Sequence, residues 1–386
     1  MLRRLLIVMT ALVTGVGLVA LSPAAAPAAP AGARGSLVSV KDITDQKDAR
    51  MGQAAKVFEV VYLSEDVHGE LVPVHGSVSV PKRAARAGGY RILAWNHSTV
   101  GLGDTCGLST VLGEGGKRDP WLGKWLDDGY VIAASDYAGI DGPGVHAYLH
   151  GPTAAKNTLD MIRATRTVVA QYAGAPISEK FLSFGGSQGG HTALWTSNLA
   201  EDYAPELTDV GTVAHSVPVY LDDYFATIEP GFPPVAAPDL TTYFTYVLAG
   251  LKQARPDVPV DSYLNARGRS LVKKAETLCY REMGQATKGV PVGELVSRPL
   301  REGSLMAALR DYSRIPVKGY TAPILLQQGT ADTVAFQPLT VRFADELRAN
   351  GAKLEYREYP EQHGLSTARV NEARAWANGL PGWGRS

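Results

Sequence analysis

The run Phe184-Gly185-Gly186-Ser187-Gln188-Gly189-Gly190-His191 constrains this chain more than any other stretch. It reads G-x-S-x-G around Ser187. The apolar segment Lys180–Phe184 comes before it, and a helical pattern beginning near Gly189 follows. A serine at the apex of a strand–turn–helix junction must adopt a strained backbone so that its hydroxyl stands clear. Gly185 and Gly189, two residues to either side, let strand and helix approach without Cβ clashes. The five-residue pattern alone is weakly specific. Its flanks make Ser187 a candidate nucleophile rather than an ordinary turn residue.

The N-terminus has a different logic. Arg3-Arg4 precede an apolar run from Leu5 to Leu21, and then Ala26-Pro27-Ala28 and Ala29-Pro30-Ala31 supply small-residue sites. A basic start, an apolar stretch too short to span comfortably and A-x-A sites predict a cleaved secretory signal peptide within residues 1–33, and hence a secreted, extracellular protein. In an exported chain the two cysteines, Cys106 and Cys279, are expected to pair. Neither has a second cysteine or a histidine at ligand spacing, which argues against zinc. Positive and negative side chains balance at 38 each, with no basic cluster, so no nucleic-acid partner is expected.

With 386 residues, 45% of them hydrophobic, the chain can bury a large core. Apolar β-type runs occur at 57–63, 74–80, 91–95, 130–135, 180–184, 210–216, 324–328 and 354–359. Helical patterns lie between several of them. The clearest is Ala154 to Tyr172, with Ala155, Leu159, Ile162, Val169 and Tyr172 near one face and Gly174 and Pro176 at its end. Others are Pro120–Asp128 and stretches from near Gly189, Pro338 and Thr367. Alternation of this kind predicts an α/β fold, a mostly parallel central sheet flanked by helices. It breaks between about Val217 and Lys318, which is rich in proline and tyrosine and has helical pieces at Thr241–Lys252 and Arg301–Tyr312. The domain reading is therefore a core of 34–216 plus 319–386, with an inserted helical cap at 217–318.

A serine hydroxyl is a poor nucleophile at neutral pH unless an imidazole takes its proton and a carboxylate orients that imidazole. After Ser187 the histidines are His191, His215 and His363. His191 lies within the helix that follows the serine, and His215 closes an apolar strand as a core or loop histidine. His363 sits in Tyr359-Pro360-Glu361-Gln362-His363-Gly364, a loop between the last strand and a terminal helix, where a base can overhang the serine. The acid is read as Asp332, in a turn at the carboxyl end of the strand Ile324–Gln328, where sites of open α/β sheets gather. Glu361 stands only two residues from the histidine it would orient. For a developing oxyanion, the amide of Gln188 is one donor, and that of Ser98 or Thr99, after the strand Arg91–Trp95, is the second. His97 is read as structural. Asp136 precedes the serine and is read as pocket support. His146 and His150 lack a third ligand nearby and are read as loop or pocket residues rather than metal ligands.

Several stretches together resemble the secretory lipase family, the lipase-A-type branch of the α/β hydrolases. They are Ser135-Asp136-Tyr137-Ala138-Gly139, Thr158-Leu159-Asp160-Met161-Ile162-Arg163-Ala164, Gly186-Ser187-Gln188-Gly189-Gly190-His191, Tyr203-Ala204-Pro205-Glu206-Leu207, Gln328-Gly329-Thr330-Ala331-Asp332 and His363-Gly364. The likeness runs from about Val74 to His363. It implies an exported ester hydrolase with a helical cap over the acyl site, in which Ser187 is the nucleophile, Asp332 the acid and His363 the base. The chain departs from the family's pattern at Gly186, where a larger side chain is usual, at His97-Ser98-Thr99 and around Asp104-Thr105-Cys106-Gly107. The expected activity is that of a secreted serine carboxylic ester hydrolase on lipid or acyl esters, working as a monomer without metal or organic cofactor, in transient contact with a lipid interface. Cap aromatics Phe225, Phe232, Tyr243, Phe244 and Tyr246 are candidates for an acyl pocket or for ordinary packing. Two alternatives are an aminopeptidase on the same fold, with Asp222-Asp223 holding an α-amino group, and a non-catalytic binding protein.

Overall fold

The computed structural model describes residues 32–113, 121–235, 237 and 239–383. Apart from its last two residues, the expected signal peptide and Ala/Pro segment lies outside them. The chain opens with β1 (Leu37–Asp42), β2 (Ala54–Glu65), β3 (Leu71–Pro81) and β4 (Tyr90–Asn96). There follow α1 (Leu122–Asp127), β5 (Tyr130–Ser135), α2 (Gly151–Tyr172), β6 (Ile177–Gly186), α3 (Gln188–Tyr203) and β7 (Thr208–His215). Between β7 and β8 the regular elements are helical: α4 (Leu221–Phe225), α5 (Leu240–Ala254), α6 (Ala266–Ala275), α7 (Tyr280–Thr287) and α8 (Leu305–Ser313). The chain then returns through β8 (Ile324–Gly329), α9 (Gln337–Ala349), β9 (Leu354–Tyr359) and α10 (Thr367–Asn378).

The sheet has nine strands in the order β1-β2-β3-β5-β4-β6-β7-β8-β9. The first three strands and β5 pair antiparallel, and from β5 through β4 to β9 all pairs are parallel. The parallel strands β4, β5 and β8 are buried along their whole length, which is why they read as continuous apolar runs. Alternate residues divide between the two faces. Leu93, Trp95, Ile132, Leu182, Phe184 and Leu325 pack with α1 and α10. Ile92, Ala94, Val131, Ala133 and Phe181 pack with α2. The chain leaves β4 toward β5 on one side and continues on the other side with β6. This reversal of strand order leaves a crevice at the carboxyl ends of β4 and β6.

Sequence expectation and structure differ in places. The edge strand β1 has no counterpart among the apolar runs, because most of its side chains are exposed or half-exposed and it carries only a weak apolar signal. Helix α2 starts three residues earlier than expected, with Pro152 in its first turn and His150 as its N-cap. Tyr172, placed near the same face by periodicity, is 52% exposed, with its ring 6.3 Å from that of Phe58.

The cap has its own apolar core. Phe225, Phe244, Tyr246, Leu248, Leu271 and Leu309 pack together with Leu102, Tyr148 and Leu149 from the loops of the main domain. A disulfide joins Cys106, in the loop after β4, to Cys279 at the start of α7, with Cα atoms 5.3 Å apart and a sequence separation of 173. Beside it the Tyr280 amide donates to the Val100 carbonyl at 2.8 Å. A loop this long makes the disulfide worth up to about 5 kcal/mol in the chain-entropy account. Replacing both cysteines with alanine is therefore expected to lower the free energy of unfolding by roughly 2–5 kcal/mol, read as a shifted midpoint in guanidinium titration. Among the described residues no helix is long and apolar enough to cross a membrane.

Candidate active site

Ser187 lies between the end of β6 and the first residue of α3, with φ 54° and ψ −122°. A non-glycine residue in this region costs on the order of 1–3 kcal/mol and persists only where the surroundings enforce it. Here the Ser187 amide donates to the His215 carbonyl at 2.8 Å, anchoring the turn to the neighbouring strand. A Cβ on Gly185 would collide with the backbone of Gly189, and one on Gly189 with the carbonyl of Asn96, so strand and helix close over the turn only with glycine at both positions. Gly186 is different. A Cβ there would find no heavy atom nearer than 3.8 Å, an ordinary contact, so glycine is not forced at this position, which faces the cleft.

The two other sequence-predicted residues converge on this serine. His363 Nε2 is 3.0 Å from Ser187 Oγ, and His363 Nδ1 is 2.8 Å from Asp332 Oδ2. The carboxylate can only accept, so Nδ1 carries the imidazole proton and Nε2 is free to accept from the hydroxyl. Asp332 lies just beyond β8 and is 3% exposed. Its Oδ1 accepts the amides of Val334 and Ala335, each at 2.8 Å. Burial by itself would raise the carboxyl, but the His363 contact and these two amides outweigh it and hold the group below its usual range. Glu361 is not at the imidazole; Ser366 donates to its carboxylate.

Ser98 and Thr99 line the same cleft as Ser187 and His363. The Ser98 hydroxyl donates to the Gly186 carbonyl at 2.8 Å, and Thr99 Oγ1 is 2.6 Å from the Tyr148 hydroxyl, so side-chain bonds tie this loop to the serine turn and to the cap-facing loop. Gln188 is the first residue of α3, where a backbone N–H has no partner within the helix. The other histidines lie apart from the proton path. His97 Nδ1 is 2.7 Å from the Ser98 carbonyl and its ring packs on Tyr137. His146 sits between the Ala138 carbonyl and the Gln188 side chain, and burial pushes it down to about 3. His150 bonds Thr153 at 2.8 Å, and His191 bonds the cap carbonyl of Ser313 at 2.7 Å. Asp136 accepts the amides of Leu108 and Ser109 and so braces the loop that carries Cys106. Among the described residues no three His, Cys, Asp or Glu side chains come together as a metal site.

Two spaces meet at Ser187. The first, a cleft of about 180 Å³, is floored by Gly186 and walled by His215, Ser216, His363 and Leu365. Above it Tyr243 and Tyr280 of the cap share a 2.8 Å hydrogen bond, and Tyr280 donates to Asp239 at 2.7 Å. The second space is apolar. A neck of about 40 Å³ lined by Leu149, Phe225 and Leu240 shares Pro218, Leu221, Tyr224 and Val334 with a chamber of about 310 Å³. Phe336 and Val235, 55% and 41% exposed, stand at the chamber's wall. The cap aromatics thus divide: Phe225 and Tyr243 line the space beside Ser187, while Phe244 and Tyr246 are fully buried in the cap core and Phe232 packs at its edge. Asp222 and Asp223 bind Arg310, Arg314 and Arg342.

Some supporting residues carried no motif signal. Asn96 donates to Ser183 Oγ at 3.1 Å and accepts from Thr158 at 2.8 Å, joining β4, β6 and α2 beneath the serine. The family-like stretches around Asp160 and Tyr203 prove to be one cluster: Asp160 accepts from Ser64, Tyr203 and Arg163, and Arg163 also binds Glu206.

A mostly parallel sheet with its serine on a strained turn after a central strand, an acid after a later strand and a histidine after the last defines an α/β hydrolase. Solved structures of similar fold include Candida antarctica lipase A in its closed state, with a TM-score of 0.68 and 21% identity over 86% of this chain and 78% of that one. The rice cell wall degrading esterase LipA from Xanthomonas oryzae superposes with a TM-score of 0.71 and 21% identity over 89% of this chain and 95% of that one. The family model for secretory lipases matches residues 119–375, and the chain belongs to the secretory lipase family. Lipase A from Moesziomyces aphidis is 27% identical over 252 residues, 62% of this chain and 51% of that protein, so the chain spans about half the length of that relative.

Proposed function

We propose that this chain is an exported serine hydrolase of carboxylic esters. The observation that carries the reading is the unbroken path from Ser187 Oγ through His363 to Asp332, at 3.0 and 2.8 Å, with the serine raised on a strained turn. In this reading His363 Nε2 takes the hydroxyl proton as Ser187 Oγ bonds to the ester carbonyl carbon. The oxyanion that forms is held by the Gln188 amide and by an amide of the Ser98–Thr99 loop, each worth roughly 3–4 kcal/mol of barrier. His363 then gives its proton to the leaving alkoxide as the C–O bond breaks. Water, deprotonated by the same imidazole, releases the acid and restores the serine. This sequence of steps calls on no metal or organic cofactor. Export is supported by the family and by the Arg3-Arg4 start and apolar run of the N-terminus.

The acyl group is assigned to the apolar neck and chamber, and the alcohol to the cleft on the His363 side, where the proton must be delivered. Phe336 and Val235 at the chamber support brief contact with a lipid surface. A peptidase would need a free carboxylate for the substrate's amino group, and Asp222 and Asp223 are already held by arginines. A p-nitrophenyl ester series from acetyl to octanoyl tests the assignment. kcat/KM is expected to rise by up to about fourfold per methylene until the chamber is filled, and a flat profile would remove the acyl group from it. Failure of a fluorophosphonate to label Ser187 would favour a non-catalytic binding protein.

A further inference from the structure

His215, at the end of β7, is outside the proton path yet touches the backbone of both the serine turn and the base loop. Its carbonyl accepts the Ser187 amide at 2.8 Å. Its ring Nε2 is 2.8 Å from the carbonyl of Gly364, the residue after His363. A carbonyl only accepts, so Nε2 bears the proton and donates. The ring is 1% exposed, and burial pushes it down to about 4, which keeps it neutral across the working range.

The base loop needs such a tie. On its upstream side Thr330 and Ala331 donate to the carbonyls of Tyr359 and Glu361. On its downstream side Ser366 caps α10 by accepting the Arg369 amide. Ser366 also donates to the Glu361 carboxylate across the loop, and for residues 362–365, among the described residues, the hydrogen bonds are the two of the His363 ring and the one from His215 to Gly364. Packing holds the loop at Leu365, which lies against the main core, but not at Gly364, which has φ +126° and where a Cβ would meet nothing within 4 Å. The backbone at this point is intrinsically free, and one donor sets its direction.

We propose that His215 is a positioning residue, which holds the His363 loop in register with the Ser187 turn by donating to Gly364 while its own carbonyl binds Ser187. This rests on the serine-hydrolase reading. A displacement of about 1 Å at a reacting group can cost on the order of 100-fold in rate. His215→Leu, which keeps bulk and removes the donor, is expected to lower kcat by about 10- to 100-fold with KM within about twofold. Fluorophosphonate labelling of Ser187 slows by the same factor, and the low-field proton resonance of His363 Nδ1–H broadens or is lost. His215→Gln, which retains an N–H donor, recovers most of the rate. The proposal is overturned if His215→Leu keeps kcat within about twofold of wild type. It is overturned equally if Gln and Leu lose alike, or if the loss follows a lowered melting temperature while the Nδ1–H resonance is unchanged. A wild-type protein that hydrolyses no ester and takes no fluorophosphonate would instead overturn the serine-hydrolase reading, and with it the role of His215.

Discussion

Ser187→Ala is expected to lower kcat for a p-nitrophenyl ester by about 10⁶-fold while leaving the fold intact. The substitution removes only Oγ and with it the 3.0 Å contact to His363. The backbone strain at φ 54° is enforced by the turn rather than by the hydroxyl, because the Ser187 amide and the flanking glycines are untouched. Alanine carries the same Cβ, so melting temperature should stay within a few degrees of wild type. Residual hydrolysis above the uncatalysed rate, on the order of 10³-fold, would come from the oxyanion donors and substrate binding alone. Retention of more than a hundredth of the wild-type kcat by the folded variant would place the nucleophile elsewhere.

Asp332→Asn should cost about 10⁴-fold in kcat, for a different reason. An amide oxygen can still accept from Val334 and Ala335, so the turn survives. Facing His363, however, the side chain can present an N–H where a carboxylate accepted one, and the imidazole then turns over to the tautomer whose Nε2 carries the proton. That form cannot take the hydroxyl proton. The same variant gives a stability signature. Asp332 has its carboxyl lowered from 3.8 in the fold. A lowered carboxyl contributes stability that is fully present above its unfolded value and is lost as pH falls through the folded one. Wild type should therefore lose a component of its unfolding free energy as pH drops below about 4, and the asparagine variant should lack that component. Urea unfolding of both proteins across pH 3–7 reads the difference.

Much of this architecture is legible in the sequence. Buried parallel strands are apolar on both faces, so β4, β5 and β8 stand out as uninterrupted runs. The exposed edge strand β1 has no such signature and went unseen. Helix α2 is legible from its periodicity, but periodicity gives a face and not the depth of burial, and Tyr172, on that face, is half exposed. In the cap, composition and aromatic content could not separate Phe225 and Tyr243, beside the serine, from Phe244 and Tyr246, which fill the cap's own core. His215 was read as a core or loop histidine, and its ring is indeed buried. Its contact with a loop 149 residues away has no local trace in sequence.

The sequence by itself determined the chemistry open to this chain. A serine crowded by glycines, a carboxylate after an apolar strand and a late loop histidine are local features, written in residue type and spacing. The pairing of Cys106 with Cys279 was to be expected of the two cysteines in the chain, and the structure joins them. The tertiary structure decided what depends on distant segments meeting: the 2.8 and 3.0 Å distances across the site, the apolar neck beneath the cap, and the tie from His215 to Gly364. Local signals end within a few residues, whereas position across a cleft is set by packing summed over the whole sheet and cap.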